Sequence, residues 1–156
     1  MIEDTIFGHW FAGFVDGEGC FHIQKETNRQ GFRCLFSIGL RKDDGEILHI
    51  IQQKLGIGKI HIKNTANLCE FVVANKKGCE FLCQFFFDFP LRAKKRKDFE
   101  IWKQAVNEWK NVVQTGRNFK ANSEYWIKIQ KLKEDLSKYR KYEHSISYRC
   151  ENHLCK

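Results

Sequence analysis

Apolar residues recur along this chain in two rhythms, one helical and one of period two. Near the start Phe7, Phe11, Phe14 and Val15 share one helical face, and Gly17 and Gly19 are expected to stop the helix. From Cys20 to Glu26 the pattern alternates, with Phe21 and Ile23 on one side and His22 and Gln24 on the other. A turn rich in Asn, Arg, Gln and Gly follows. Phe32 to Arg41 then alternates again, with Phe32, Cys34, Phe36 and Ile38 sharing a face, so the two runs predict a long β-hairpin. Asp43 and Asp44 open a second helix, where carboxylates suit the positive end of the helix dipole. Ile47, Leu48, Ile51 and Leu55 are its buried stripe, and Gly56 ends it. Ile57 to Lys63 and Leu68 to Ala74 predict a second hairpin, and Lys77 to Phe87 a third helix closed by Pro90. From Leu91 the segment LRAKKRKDFEIWKQAVNEWK is basic and then amphipathic, and a further helix is expected from about Asn122 to Tyr139.

The order α-β-β-α-β-β-α predicts an α+β fold: one four-stranded antiparallel sheet with helices on one face, the other face open, and extra C-terminal helices. Residues 1–140 are expected to form one domain and 141–156 a tail. On the open face the alternation places His22, Gln24, Arg33, Ser37, Arg41, Lys59, His61 and Lys63, with Leu35 and Val72 as apolar members. Strands of about nine residues at roughly 3.3 Å each span ~30 Å, or about nine base pairs. A two-stranded ribbon fits the major groove. An ordinary solvated sheet face is the bland alternative.

Charge sharpens the choice. The 156 residues carry 27 Lys plus Arg against 19 Asp plus Glu, a net +8, and a chain this basic commonly meets a polyanion. Charge does not separate DNA from RNA. Fourteen Phe residues supply ample core material, and a single Pro argues against long disorder. The N-terminal stretch MIEDTIFGHWFAGF lacks a signal-peptide pattern, and no apolar run approaches the ~18 residues that span a bilayer. An intracellular protein without a membrane partner is therefore expected, in an organelle if its gene lies there. Seven scattered cysteines suit reduced, buried thiols better than a disulfide framework. In the tail His144, Cys150, His153 and Cys155 are zinc-ligand types, but their spacing matches no tight structural zinc pattern.

The chemistry concentrates in Phe11 to Gly19, FAGFVDGEG. Gly13 and Gly17 stand one helical turn apart, so one stripe of the first helix lacks side chains and another backbone can approach it closely. Such a stripe can seat against a copy of itself across a two-fold axis. Glu18 emerges at the helix C-terminus, where the dipole favours a cation, and a dimer would bring two such carboxylates together. Carboxylates and phosphate oxygens are the ligands that hard Mg²⁺ prefers. Taken alone, the same residues also fit tight intramolecular packing and a solvated carboxylate.

The nine-residue motif resembles the signature of the LAGLIDADG homing endonuclease family. FRCLFSIGLRKDDGEILHIIQQKLGIGKI is similar to that family's second strand, second helix and entry to the third strand, and FPLRAKKRKDFEIWKQAV to a later segment. Together the blocks cover roughly residues 6 to 110 in the expected order. The resemblance implies that Glu18 fills the position of the essential metal-binding acid, with Gly17 beside it at the metal. It implies Ala12, Gly13 and Gly17 at a homodimer interface. It also implies a basic residue near the scissile phosphate from the AKKRK run, with Lys94 first and Lys95 and Lys97 as rivals. Some relatives carry a glutamine at the end of the second strand where this chain has Leu40, which leaves Arg41 or Gln24 to take part of that role.

The function expected is site-specific, Mg²⁺-dependent double-strand cleavage of a long pseudo-palindromic DNA target by an intron-encoded homodimer, with Mg²⁺ or another divalent cation as cofactor. The alternative is a non-cleaving scaffold of the same fold, an intron maturase that binds RNA or a DNA-binding regulator. Pure binding does not need an axial carboxylate, which favours cleavage.

Overall fold

The computed structural model describes residues 2–26, 31–111 and 124–140; the expected tail at 141–156 lies outside them. Helix α1 (Ile2–Glu18) runs straight into β1 (Gly19–Lys25), which pairs with β2 (Phe32–Arg41). Helix α2 (Glu46–Leu55) leads to β3 (Lys59–Lys63) and β4 (Leu68–Val73), then to α3 (Lys76–Asp88), α4 (Lys95–Asn111) and α5 (Glu124–Arg140). The four strands form one antiparallel sheet in the order β1-β2-β4-β3, so the second hairpin docks through β4 on β2. The expected α+β architecture is observed.

Three local expectations are corrected. Gly17 does not stop α1; helical bonding continues through Glu18, and the strand begins at Gly19. The turn there is tight enough that a Cβ on Gly19 would sit 2.8 Å from the Val15 carbonyl oxygen. Asp43 and Asp44 do not open α2 but form a 3-10 turn, Lys42–Asp44, ahead of it. The strands average less than the expected length: β2 has 10 residues, but β1 has 7, β3 has 5 and β4 has 6. At about 3.3 Å per residue only β2 spans ~30 Å.

Period-two burial decides which face the helices cover. Phe21, Ile23, Phe36, Ile38, Phe71 and Val73 turn inward and are buried. Phe21 is the hub, with ring centroids 5.2 Å from Phe36, 5.6 Å from Phe99 and 5.1 Å from Trp102. Phe86 of α3 stacks on Phe11 of α1 at 5.9 Å. Trp102, fully buried on α4, spends its one indole donor on the His22 carbonyl at 3.2 Å, so burial leaves no orphan polar group there. Helix α5 buries Ile129, Leu132 and Leu136, and its Trp126 meets Phe32 at 4.6 Å.

The LGIG segment after α2 shows why glycine stands where it does. Gly56 and Gly58 adopt φ of 65° and 82°, the left-handed region, and a Cβ on Gly58 would lie 2.3 Å from the Phe71 ring. The chain can therefore reverse from helix to strand while passing directly over the core.

The described cysteines Cys20, Cys34, Cys69, Cys79 and Cys83 are all free thiols. Burial, reinforced by Cys79 and Cys83, pushes the Cys34 thiol far above its ordinary range. Burial likewise pushes Cys79 and Cys83 up to about 12. Such thiols are neutral packing groups at physiological pH, not nucleophiles. Among the described residues no helix is long and apolar enough to cross a membrane.

Candidate active site and nucleic-acid interface

Two features of α1 define the candidate site. The first is an open stripe: a Cβ built on Gly13 or Gly17 meets nothing within 4 Å. Ile6 and Trp10 extend this stripe toward the N-terminus at helical spacing and stay 65% and 40% exposed, although both are large and apolar. Ala12 is different. It is 4% exposed and packs into the chain's own core, so the open stripe consists of Gly13 and Gly17 with Ile6 and Trp10. The second feature is Glu18, exposed as the last residue of the helix. A carboxylate at the negative end of a helix dipole is unfavourably placed until a cation joins it.

Asp16, two residues earlier, has the structural duty that its place in the motif suggests, with partners that the sequence does not name. Its Oδ2 accepts hydrogen bonds from the backbone N–H of Arg92 at 2.8 Å and of Ala93 at 3.1 Å. Its Oδ1 is buried and has no hydrogen-bond partner among the described residues. The two bonds tie the entry of α4 to the end of α1. Ala93 and Lys94 then accept from the N–H groups of Arg96 and Lys97, at 3.1 Å each, as the turn that starts α4. The basic run Lys94, Lys95 and Lys97 is thus attached beside the segment that carries Glu18. Lys94 and Lys97 are exposed, while Lys95 is half-buried.

The donor set suits a hard divalent cation. Glu18 offers carboxylate oxygens, and the carbonyls of the last helical turn, Gly17 included, lack intrahelical partners. Among the described residues no three His, Cys, Asp or Glu side chains gather into a metal site.

The strand register puts all eight sequence-predicted polar residues on the face away from the helices. Gln24 stands opposite Arg33, and His22 opposite Leu35. Ser37 and Lys59 flank Val72, while Arg41 and Lys63 flank Leu68. Arg33, Arg41, Lys59, His61 and Lys63 are exposed, and His22 and Gln24 half-buried. Ser37 and Leu35, on the same face, are only 7% and 8% exposed. A 3.1 Å hydrogen bond joins His22 Nε2 to Ser37 Oγ, so a ligand meets the histidine before the serine. The face is also partly self-paired. Arg33 donates to Gln24 at 3.0 and 3.2 Å, and Arg41 forks onto Asp43 at 2.6 and 3.1 Å. Sequence reasoning missed Glu70, although it is in phase with Val72; the register seats it between Gly39 and His61 on this face.

The sequence pattern of the LAGLIDADG endonuclease family matches residues 11–106, from the middle of α1 through most of α4. The chain belongs to the LAGLIDADG endonuclease family. The family match takes in both Glu18 and the basic run at the start of α4. A probable intron-encoded endonuclease, Cox1-I1b of Schizosaccharomyces pombe, is 29% identical over 102 residues, covering 64% of this chain and 27% of that protein. The chain thus spans about a quarter of that curated relative's length. Among solved structures, the LAGLIDADG meganuclease I-AabMI bound to uncleaved DNA is 34% identical, with a TM-score of 0.62 over 67% of this chain and 37% of that one. The archaeal intron-encoded homing endonuclease I-Vdi141I, complexed with DNA, shares the fold: TM-score 0.73 at 22% identity, over 89% of this chain and 87% of that one.

Proposed function

We propose that this LAGLIDADG chain is the cutting unit of an intron-encoded, site-specific DNA endonuclease. Two copies meet along α1 and break both strands of a long, near-palindromic duplex with Mg²⁺ or another divalent cation. The observation that carries the reading is the open stripe of α1, bare at Gly13 and Gly17 and apolar at Ile6 and Trp10, which ends in an exposed carboxylate next to a basic sheet face. A stripe with no side chains allows two helix backbones to approach closely, and a two-fold pairing is isologous. It brings the second Glu18 to the same axis, supplying the ligands that one chain lacks. Solved relatives held on DNA support duplex DNA as the substrate.

The protein's own groups then divide the work. Glu18, with the Gly17 carbonyl, would hold the cation, which when bound would supply an acidified water and charge stabilisation for the phosphoryl oxygens. Lys94, or its neighbours Lys95 and Lys97, places positive charge where the phosphate gains negative charge. Arg33, Arg41, Lys59, His61 and Lys63, with His22, Gln24 and, behind His22, the buried Ser37, position the duplex through base edges and phosphates.

A second reading of the partner rests on chain length. This chain covers 87% of I-Vdi141I but only 37% of I-AabMI, so the open stripe equally suits a non-identical second unit. Analytical ultracentrifugation on duplex DNA distinguishes the two by mass.

A plasmid library of randomised targets tests the activity: linear product is expected with Mg²⁺ and none with EDTA. Glu18→Gln is expected to keep duplex binding and to lose cutting by at least about a hundredfold. A wild-type chain that binds duplex and never cuts with any divalent metal ends the proposal in favour of a maturase on intron RNA or a regulator.

A further inference from the structure

Glu70 is the one carboxylate among the described strand residues of the open face, and its position there is costly for any protein that meets phosphate. It is half-buried and its Oε2 accepts from Lys63 Nζ at 3.0 Å, a diagonal contact between β4 and β3. A lysine tethered in this way is withheld from the phosphates, so the pair weakens non-specific attraction twice over. Resting on the duplex-binding reading above, we infer that Lys63 and Glu70 act together to read one G·C base pair in the major groove.

The argument is geometric. A G·C pair exposes the guanine O6 acceptor next to the cytosine N4 donor. Those two atoms are themselves hydrogen-bonded, at about 2.9 Å. Lys63 and Glu70 present a donor and an acceptor 3.0 Å apart, the complementary order at matching spacing. Lys63 donates to guanine O6, with N7 as a second acceptor within its reach, and Glu70 accepts the outward N4 hydrogen of cytosine. The four atoms close a ring of alternating donors and acceptors, so neither charge is left unpaired on binding.

The competing pairs are rejected by their atoms. A T·A pair offers acceptor and donor in the same order, but it sets adenine N7, a lone pair, beside the donor that Glu70 would approach. It also sets the thymine methyl beside Lys63. A pair read in the opposite sense places acceptor against carboxylate and donor against ammonium. The carboxylate thus supplies discrimination through repulsion as well as contact.

The test is a binding selection from randomised duplex DNA with the wild-type chain, Glu70→Ala and Lys63→Ala, at one fixed salt concentration. The wild type is expected to enrich an invariant G·C pair at one position of the half-target it contacts. Both variants are expected to relax that same position by about tenfold and to leave the other positions as they were. Thermal melts of the variants coinciding with wild type establish that the fold is kept. The inference is overturned if the two variants relax different positions. It is also overturned if Glu70→Ala tightens binding to every sequence equally with preferences unchanged, since Glu70 is then only a repulsive charge. A wild-type chain that recovers no duplex at all overturns the duplex-binding reading itself, and this inference with it.

Discussion

Removing the Asp16 carboxylate tests how the two halves of the candidate active site are held together. Asp16 Oδ2 receives the N–H groups of Arg92 and Ala93, residues 76 and 77 positions away in sequence, at 2.8 and 3.1 Å. Hydrogen bonds to a charged group contribute about 1.5–3 kcal/mol each when well buried. Arg92 and Ala93 are exposed and Asp16 is half-buried, so water recovers part of that loss. Asp16→Ala is then expected to cost about 2 kcal/mol for the two bonds together. For a chain of this size each kcal/mol moves Tm by about 2–4 °C, which gives a fall of roughly 4–8 °C. Asp16→Asn keeps an oxygen for both donors without the charge, and about half that fall is expected. Calorimetry or circular dichroism reads these shifts. A positioning role demands more than lost stability. Well below the new Tm, single-turnover cleavage of bound DNA should slow by about tenfold or more, because the run from Lys94 to Lys97 is no longer pinned beside Glu18. Affinity for duplex should change far less. If Asp16→Ala melts within about 0.5 kcal/mol of wild type, or cuts bound DNA at the wild-type rate, the clamp has no functional weight and the reasoning fails.

Two further outcomes follow from the same structure. Gly13→Leu adds a side chain where a Cβ meets nothing within 4 Å, so the isolated chain should fold with equal or higher Tm, Leu being the better helix former by up to about 1 kcal/mol. The same variant should sediment as a single unit on duplex DNA and lose double-strand cutting; retained pairing would show that α1 is not the contact. Alkaline pH should destabilise the fold through its thiols. Cys79 and Cys83 are pushed by burial from the ordinary thiol value of 9.0 up to about 12, so well below pH 9 they are neutral in both states and cost nothing. Between pH 9 and 12 the unfolded thiols ionise while the folded ones do not, and stability falls as pH rises. A Cys79→Ala, Cys83→Ala double variant should show a shallower loss of Tm across that window, and an unchanged slope would refute the assignment.

Much of this molecule is written in local periodicity. Alternation from Cys20 to Glu26 and from Phe32 to Arg41 was enough to place the hairpin and its inward face, because side chains in a strand point to opposite sides whatever lies beyond them. Gly13, Gly17 and Glu18 were legible for the same reason: helical spacing alone puts the glycines on one stripe and the acid at its end. Distances that span the chain were not legible. The order β1-β2-β4-β3, the carboxylate of Asp16 on the backbone of Arg92, and the contact of Lys63 with Glu70 all arise from how separate elements dock. The same docking turned Ala12 into the core and covered Ser37 and Leu35 on a face that alternation marks as open. Periodicity tells each residue which side of its own element it occupies. Only packing determines what stands on that side, since the favourable free energy of burial and pairing belongs to both partners at once.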